Sequence, residues 1–263
     1  MPKSTKLKRI ASWNVNGIRA CSKSGLADWL TLHDADVILL QEVRAEQHQI
    51  PEDISCLGNY RKHWFPAAVK KGYSGTGILA KEAPIKVHSG LGHDEFDGEG
   101  RVITAEFKDL IAVSAYFPNS QAEGARIAYK LRFCAAMEEW LDKQSRKGKP
   151  VVLGGDFNVA PNPVDLARPK DNEGNPGYLP GERAWMNSFL NAGWIDTWRH
   201  LHPDEVKYSW WSTRMGARAK NIGWRIDFHV VAKAHMDRIA GSDMLIQVSG
   251  SDHCPVTLDL LVD

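Results

Sequence analysis

Short β-rich apolar runs recur along this chain, and most of them stop at polar side chains. The runs are Arg9–Trp13, Val37–Leu40, Thr76–Ala80, Val102–Phe107, Ile111–Phe117, Val151–Leu153, Ile226–Ala232 and Pro255–Val262. Helical patterns lie between them. Ala125–Lys143 sets Ile127, Leu131, Phe133, Met137, Trp140 and Leu141 at near-helical spacing. Gly181–Asn191 follows Pro180 with Trp185, Phe189 and Leu190 in the same phase, and Leu26–Leu32 reads as a short helix. Strands and helices mixed in this way predict an α/β protein in which two sheets pack together under outer helices. With no Pro/Gly/Ser linker, repeat or low-complexity tract, residues 9–263 are expected to form a single domain after a disordered N-terminal extension over residues 1–8.

The 33 Lys+Arg and 32 Asp+Glu leave a formal net charge of +1. That balance decides nothing about nucleic acid, because affinity depends on where charges sit. No apolar run approaches the ~18 residues that span a bilayer, and the basic start MPKSTKLKR leads into a strand without a signal-peptide core. Four scattered cysteines, Cys21, Cys56, Cys134 and Cys254, show no CxxC pair or zinc spacing. The expectation is a reduced intracellular protein, cytoplasmic and on the nucleoid if prokaryotic, with no membrane partner. No apolar association surface is marked, so a monomer is expected.

The run ends carry the chemistry. RIASW is followed by Asn14 and Asn16, VILLQ by Glu42, IAVSA by Tyr116 and Asn119, and VVLGG by Asp156 and Asn158. GWRI runs into Asp227, and Ser251-Asp252-His253 precedes the last strand. Rigid strand ends that open into loops are where sheet proteins gather functional groups. Taken singly, each has an ordinary explanation: Asn16-Gly17 as a turn, Glu42 as solvated, Gly154–Asn158 as a turn, Asp252-His253 as a capping pair. Taken together, they are hard to explain by turn chemistry. Glu42, Asp156 and Asp252 are hard oxygen donors and Asn14 a neutral one, a set that suits Mg²⁺ or Mn²⁺ rather than zinc. Asn119 and Asn158 offer amide N–H to a phosphoryl oxygen as charge builds on it. His253, with Asp227 as its orienter, would bind phosphate or transfer protons near neutral pH. The set reads as metal-assisted hydrolysis of a phosphate ester. Glycoside hydrolysis would use Glu42 and Asp156 but leaves the asparagines and Asp252-His253 without a role.

Lys207–Arg225 holds Lys207, Arg214, Arg218, Lys220 and Arg225 with no acidic residue, interleaved with Tyr208, Trp210, Trp211 and Trp224. Cations for phosphate and rings for stacking make this loop a nucleic-acid footprint; the alternative is a solvated loop over a Trp-rich core. Arg19 and the Lys70–Gly75 stretch, with Tyr73, would extend the phosphate-binding surface.

The motifs WNVNGIR (13–19), LLQEVR (39–44), GYSGTG (72–77), EGRV (99–102), YFPN (116–119), GGDFN (154–158), DLARPK (165–170), NIGWRID (221–227) and GSDHCP (250–255) occur in this order. Together they resemble the motif series of exonuclease III-type apurinic/apyrimidinic endonucleases, over nearly the whole chain. The resemblance implies a four-layer α/β sandwich, two packed mixed β-sheets flanked by helices. It also implies Mg²⁺-dependent cleavage, with Mn²⁺ substituting, of double-stranded DNA 5′ to an abasic site, leaving a 3′-hydroxyl. Exonuclease (3′→5′) and 3′-phosphodiesterase activities would accompany it. Carried over residue by residue, Glu42 is the main metal ligand with Asn14 and Asp252 nearby, and Asp156, Asn158 and His253 complete the candidate metal set. Asp156 activates water, Asn158 stabilises the pentacovalent phosphate, and Tyr116 contacts it or assists the leaving group. His253, paired with Asp227, touches the scissile phosphate. Arg101, Asn119, Asn172 and Asn175 match positions that grip the DNA backbone, and Trp210 and Trp224 match the walls of the abasic pocket.

Two positions depart from the pattern. Asn16 stands where many members carry Asp, so altered metal affinity is expected, and SQAEGAR (120–126) differs from the arginine loop of some relatives. Phosphatases acting on inositol lipids or sphingomyelin share the catalytic core, but the Trp-rich basic loop and WRID favour DNA. A pancreatic-type deoxyribonuclease would need a second histidine where Tyr116 and Asn119 stand. A DNA binder with decayed catalytic groups is the non-enzyme alternative.

Overall fold

The computed structural model describes residues 5–263. In chain order the strands are β1 (Lys6–Asn14), β2 (Val37–Gln41), β3 (Arg61–Phe65), β4 (Thr76–Ala80), β5 (Lys86–Ser89), β6 (Val102–Glu106), β7 (Ile111–Tyr116), β8 (Val151–Asp156), β9 (Trp194–Asp196), β10 (Trp210–Trp211), β11 (Gly223–Trp224), β12 (Asp227–Ala232), β13 (Ile239–Met244) and β14 (Val256–Val262). The helices are α1 (Ile18–Lys23), α2 (Leu26–His33), α3 (Glu52–Ser55), α4 (Asp94–Asp97), α5 (Ile127–Ser145), α6 (Pro180–Asn191) and α7 (Thr197–Leu201). One sheet runs β13-β14-β1-β2-β4-β3 and the other β5-β6-β7-β8-β12-β9, with β10-β11 a separate ribbon. The β1–β2 and β7–β8 pairs are parallel and their other neighbours antiparallel, so both sheets are mixed.

Side-chain alternation with period two sorts each central strand into two faces. Ile10, Val37, Leu39, Ala112, Val152 and Val231 meet between the sheets. Ala11, Trp13, Ile38 and Leu40 point the other way, onto Ile18, Leu26 and Leu30 of α1 and α2. Val113, Leu153 and Val230 pack under Phe133 and Met137 of α5 and Phe189 of α6. Helix, sheet, sheet, helix is the expected four-layer sandwich. The inter-sheet columns end in polar groups at the same end of both sheets, and this convergence builds the site. Gly155 permits it: a Cβ there would lie 1.8 Å from the Ala115 carbonyl oxygen, so β8 approaches β7 closely only with glycine.

The expected disordered extension is corrected from Lys6 onward. Lys6, Leu7 and Lys8 pair with Val262, Leu261 and Leu260 of β14, and the buried Lys8 ammonium donates to Asp109 at 2.6 Å and Glu82 at 3.1 Å. The first four residues of that expectation lie outside the described residues. Strands β3, β5, β9 and β13 escape the sequence pattern; all four are sheet edges, where short and polar strands guard against unwanted pairing.

Candidate active site

The inward columns deliver Asn14 from β1, Tyr116 from β7, Asp156 from β8 and Asp227 from β12, while Glu42 follows β2 directly. A cavity of about 230 Å³ at this end is lined by Glu42, Tyr116, Asn119, Asp156, Asn158, Trp210, Trp224, Asp252 and His253, with Asn16 and Arg44 also on its wall. Asn14 sits beneath, its Nδ2 donating to Glu42 Oε2 at 3.0 Å and Asp156 Oδ2 at 2.9 Å, while its Oδ1 accepts the Asn16 N–H at 3.0 Å. It therefore spaces the two carboxylates. Asp252 accepts Asn16 Nδ2 at 2.8 Å and the Trp210 indole N–H at 3.0 Å. Burial raises its pKa, but the His253 charge and these two donors outweigh that and hold it below the usual carboxylate range.

His253 Nδ1 lies 2.9 Å from Asp227 Oδ2, which also accepts Ser209 Oγ at 2.6 Å. Burial alone would lower the imidazole pKa, yet the Asp227 charge and hydrogen bond, with Asp156 and Asp252 behind them, raise it to about 10. An imidazole protonated in this way binds anions through its second N–H, as the phosphate role expected of His253 requires. Burial pushes Asp156 up to about 7; His253 opposes this, and Asp227 and Glu42 add to it. Tyr116 is driven well above 10 by burial, Glu42 and Asp156, so its phenol stays protonated as a donor. Asn158 donates Nδ2 to the Phe117 carbonyl at 3.0 Å and Asp156 Oδ2 at 3.2 Å, and its Oδ1 accepts Asn119 Nδ2 at 3.0 Å.

Three carboxylates with neighbouring amides form an oxygen-rich set that fits a hard divalent cation. Asp156, Asp227 and His253 also bring one ligand atom each within 4.8 Å of one another. Both candidate ends already carry an ion pair, Asp227 with His253 at 2.9 Å and Glu42 with Arg44 at 2.6 Å.

Trp210 and Trp224 stand edge to face, centroids 6.2 Å apart, as two walls of the cavity. Other expected substrate contacts are placed differently. Arg101 is only 2 % exposed, and its guanidinium donates to Glu99 at 2.5 Å, the Tyr116 carbonyl at 3.1 Å and Tyr73 Oη at 2.7 Å. It buttresses Tyr116 and Tyr73 rather than standing open to a DNA backbone. Tyr73 accepts Arg126 Nη1 as well, at 3.0 Å. Asn172 donates to the Ala167 and Arg168 carbonyls and its Oδ1 accepts Asn175 Nδ2 at 3.1 Å, outside the cavity but next to its Pro176–Gly177 wall. Arg19 is exposed on an adjoining groove with Lys23, Arg44 and Gly72.

The basic loop is less free than its composition suggests. Arg225 is buried between Asp165 and Asp196 at 2.8 and 2.7 Å. Arg218 donates to the Ser251, Ile246 and Val248 carbonyls, tying the loop to the segment that presents Asp252, and Lys207 pairs with Asp243. Arg214 and Lys220 remain exposed, with no ion-pair partner among the described residues. Sequence reasoning missed Arg44, whose Nη2 donates to Glu42 Oε1 at 2.6 Å. Left-handed backbone at both Glu42 (φ 50°) and Arg44 (φ 52°) folds the two side chains together, a turn that LLQEVR does not announce.

The model of the Endonuclease/Exonuclease/phosphatase family matches residues 11–253. The chain is 44% identical to an exodeoxyribonuclease of Bacillus subtilis (strain 168), over 95% of this chain and 98% of that protein. It is 41% identical to the DNA repair nuclease APEX1 of Danio rerio, over 97% of this chain and 82% of that protein. Among solved structures it is similar to an AP endonuclease from Archaeoglobus fulgidus, with TM-score 0.85, 27% identity, and 96% and 99% of the two chains covered. A 3′-5′ exonuclease (NExo) from Neisseria meningitidis is similar too, with TM-score 0.86, 26% identity, and 96% and 99% covered.

Proposed function

The chain belongs to the endonuclease/exonuclease/phosphatase family, and from that premise we propose a metal-dependent phosphodiesterase that cuts duplex DNA 5′ to an abasic site, leaving a 3′-hydroxyl. It is a hydrolase of the DNA-repair nuclease kind. One observation carries the finer reading: the cavity joins carboxylates and a charged His253–Asp227 pair to a corner made by Trp210 and Trp224. Such a corner accepts a sugar that lacks its base, whereas a stacked nucleotide would have to bring its base along.

Glu42, with Asp252 and Asn14 beside it, would hold Mg²⁺, Mn²⁺ substituting; when bound, the ion offsets charge on the phosphate and the departing 3′ oxygen. His253 neutralises a phosphoryl oxygen. Asp156, with a pKa of about 7, takes the proton of the attacking water as the bond between phosphorus and the 3′ oxygen breaks. Tyr116 donates to the phosphate or leaving oxygen. Exonuclease and 3′-phosphodiesterase activities are the same hydrolysis at a strand end, performed by a monomer. The test is incision of a labelled duplex carrying one abasic analogue, beside an intact duplex, with Mg²⁺ and with EDTA. Metal-dependent nicking at the lesion is expected. A folded protein that binds the duplex and never cuts it would refute the proposal.

A further inference from the structure

Lys130 of α5 and Glu182 of α6 form an ion pair with both side chains fully buried, Nζ to Oε1 at 2.8 Å. Such a pair is a poor source of stability, because desolvating two ions offsets their attraction. Its other contacts point toward the catalytic row. Lys130 Nζ donates to the main-chain carbonyl of Asn158 at 2.6 Å. Glu182 accepts Ser120 Oγ at 2.5 Å and the Leu179 N–H at 3.0 Å. Ser120 directly follows Asn119, and Leu179 lies two residues beyond Gly177, so the pair ties three segments that line the cavity.

Asn158 needs such a hold. Its backbone is left-handed, φ 51°, a region that asparagine tolerates better than most side chains but that the surroundings must still select. Its N–H donates to Asp156 Oδ1 at 2.8 Å and its side chain bonds Phe117, Asp156 and Asn119. The carbonyl is held by the ammonium, a charge-assisted bond and the stronger kind. Neither Lys130 nor Glu182 lines the cavity.

We propose that Lys130, charge-balanced by Glu182, is a positioning residue that sets the peptide of Asn158 and through it the Asn158 amide against Asp156 and the phosphate. The proposal rests on the phosphodiesterase reading of the cavity. The test compares wild type with Lys130→Met/Glu182→Gln, which removes both buried charges at similar volume, and with Lys130→Arg, which keeps a cationic donor. Readouts are kcat and KM on the abasic duplex and the thermal midpoint of each variant. In the pair variant kcat falls ~10–100-fold, the scale of a misplaced catalytic group, while KM stays within about twofold because the walls are untouched. Lys130→Arg recovers kcat to within about fivefold of wild type. A pair variant with wild-type kcat overturns the proposal, as does kcat falling in step with the midpoint in both variants. Should the pair variant not fold, Lys130→Gln/Glu182→Gln is the second arm: it leaves no unpaired buried charge, and its neutral donor at position 130 is one bond shorter and draws back from the Asn158 carbonyl. There kcat falls with KM held, or the proposal fails. Wild-type protein that does not incise overturns the phosphodiesterase reading and this proposal with it; wild-type incision with an unaffected variant overturns this proposal alone.

Discussion

Arg44 faces Glu42 with Nη2 2.6 Å from Oε1, so the carboxylate proposed to hold a metal already faces a cation of its own chain. Arg44→Met keeps most of the stem and removes the charge. Two unit charges ~4 Å apart attract by ~4 kcal/mol at an effective dielectric of ~20. The Arg44 side chain is 43% exposed, however, and exposed pairs are worth ~1 kcal/mol or less. Repulsion between the guanidinium and an incoming divalent ion is screened by the same water and contributes a similar amount. Removing both favours metal binding by about 1–2 kcal/mol, a ~5–30-fold lower Kd. Glu42 is not left bare, because Asn14 Nδ2 still donates to its other oxygen at 3.0 Å. The assay is calorimetric titration of Mg²⁺, then Mn²⁺, into metal-free wild type and variant without DNA, so turnover plays no part. An unchanged or weaker Kd in Arg44→Met would show that Arg44 does not compete with the ion, and the reasoning would be wrong.

Two further substitutions test the interior beneath the site. His229 is 3% exposed and neither ring nitrogen has a hydrogen-bond partner among the described residues; burial lowers its pKa from 6.5 to about 3. Its stabilising neutral form is fully present above pH 6.5 and is lost as pH falls from there toward 3, at up to about 1.4 kcal/mol per pH unit. Urea unfolding of His229→Leu should therefore show a flatter acid limb between about pH 6 and 4, and an unaltered slope would absolve His229. Gly155→Ala puts a Cβ 1.8 Å from the Ala115 carbonyl oxygen, whereas Gly154→Ala meets side chains, Leu39 Cδ1 at 2.6 Å and His229 Cδ2 at 2.7 Å. The first should destabilise by ~4 kcal/mol or more and the second by ~1–3 kcal/mol; equal losses in denaturant midpoint would refute the distinction.

The site was legible because period-two alternation, read to the end of each apolar run, says which face a terminal polar residue shares. Asn14 follows Ile10, Asp156 follows Val152 and Asp227 precedes Val231 in the same inward columns, so their convergence was implicit in residues a few positions apart. What stayed hidden is decided across long separations. That Arg225 is spent on Asp165, and Arg101 on Tyr73 and Tyr116, cannot be seen in a loop that merely looks basic or in EGRV. Lys130 falls in a helix whose apolar spacing was read and whose lysine was passed over. Edge strands such as β3 and β5 were missed because solvent, not a core, shapes one side of them.

Below the row of polar strand ends the interior stays polar for one more step before it turns apolar. Gln41 donates to Ser12 Oγ and Ser114 Oγ, both at 3.1 Å, and Ser114 Oγ bonds the Leu40 carbonyl at 3.0 Å across the sheets. His229 lies at this depth against Gly154, and one step further Ile10, Leu39, Ala112, Val152 and Val231 are apolar. Carboxylates laid directly on hydrocarbon would face matter that cannot answer their charge; the bonded Gln41, Ser12 and Ser114 groups beneath them are dipolar and already ordered, which keeps the carboxylates buried yet fixed. The cations follow the same division. Arg101, Lys130 and Arg225 are buried, where they hold walls and floor, while Arg19, Arg214 and Lys220 are exposed. Contacts to phosphate position a duplex without reading it, so under the proposed function the exposed cations would supply affinity, and discrimination of the lesion would fall to the Trp210–Trp224 corner and the strand ends beneath it.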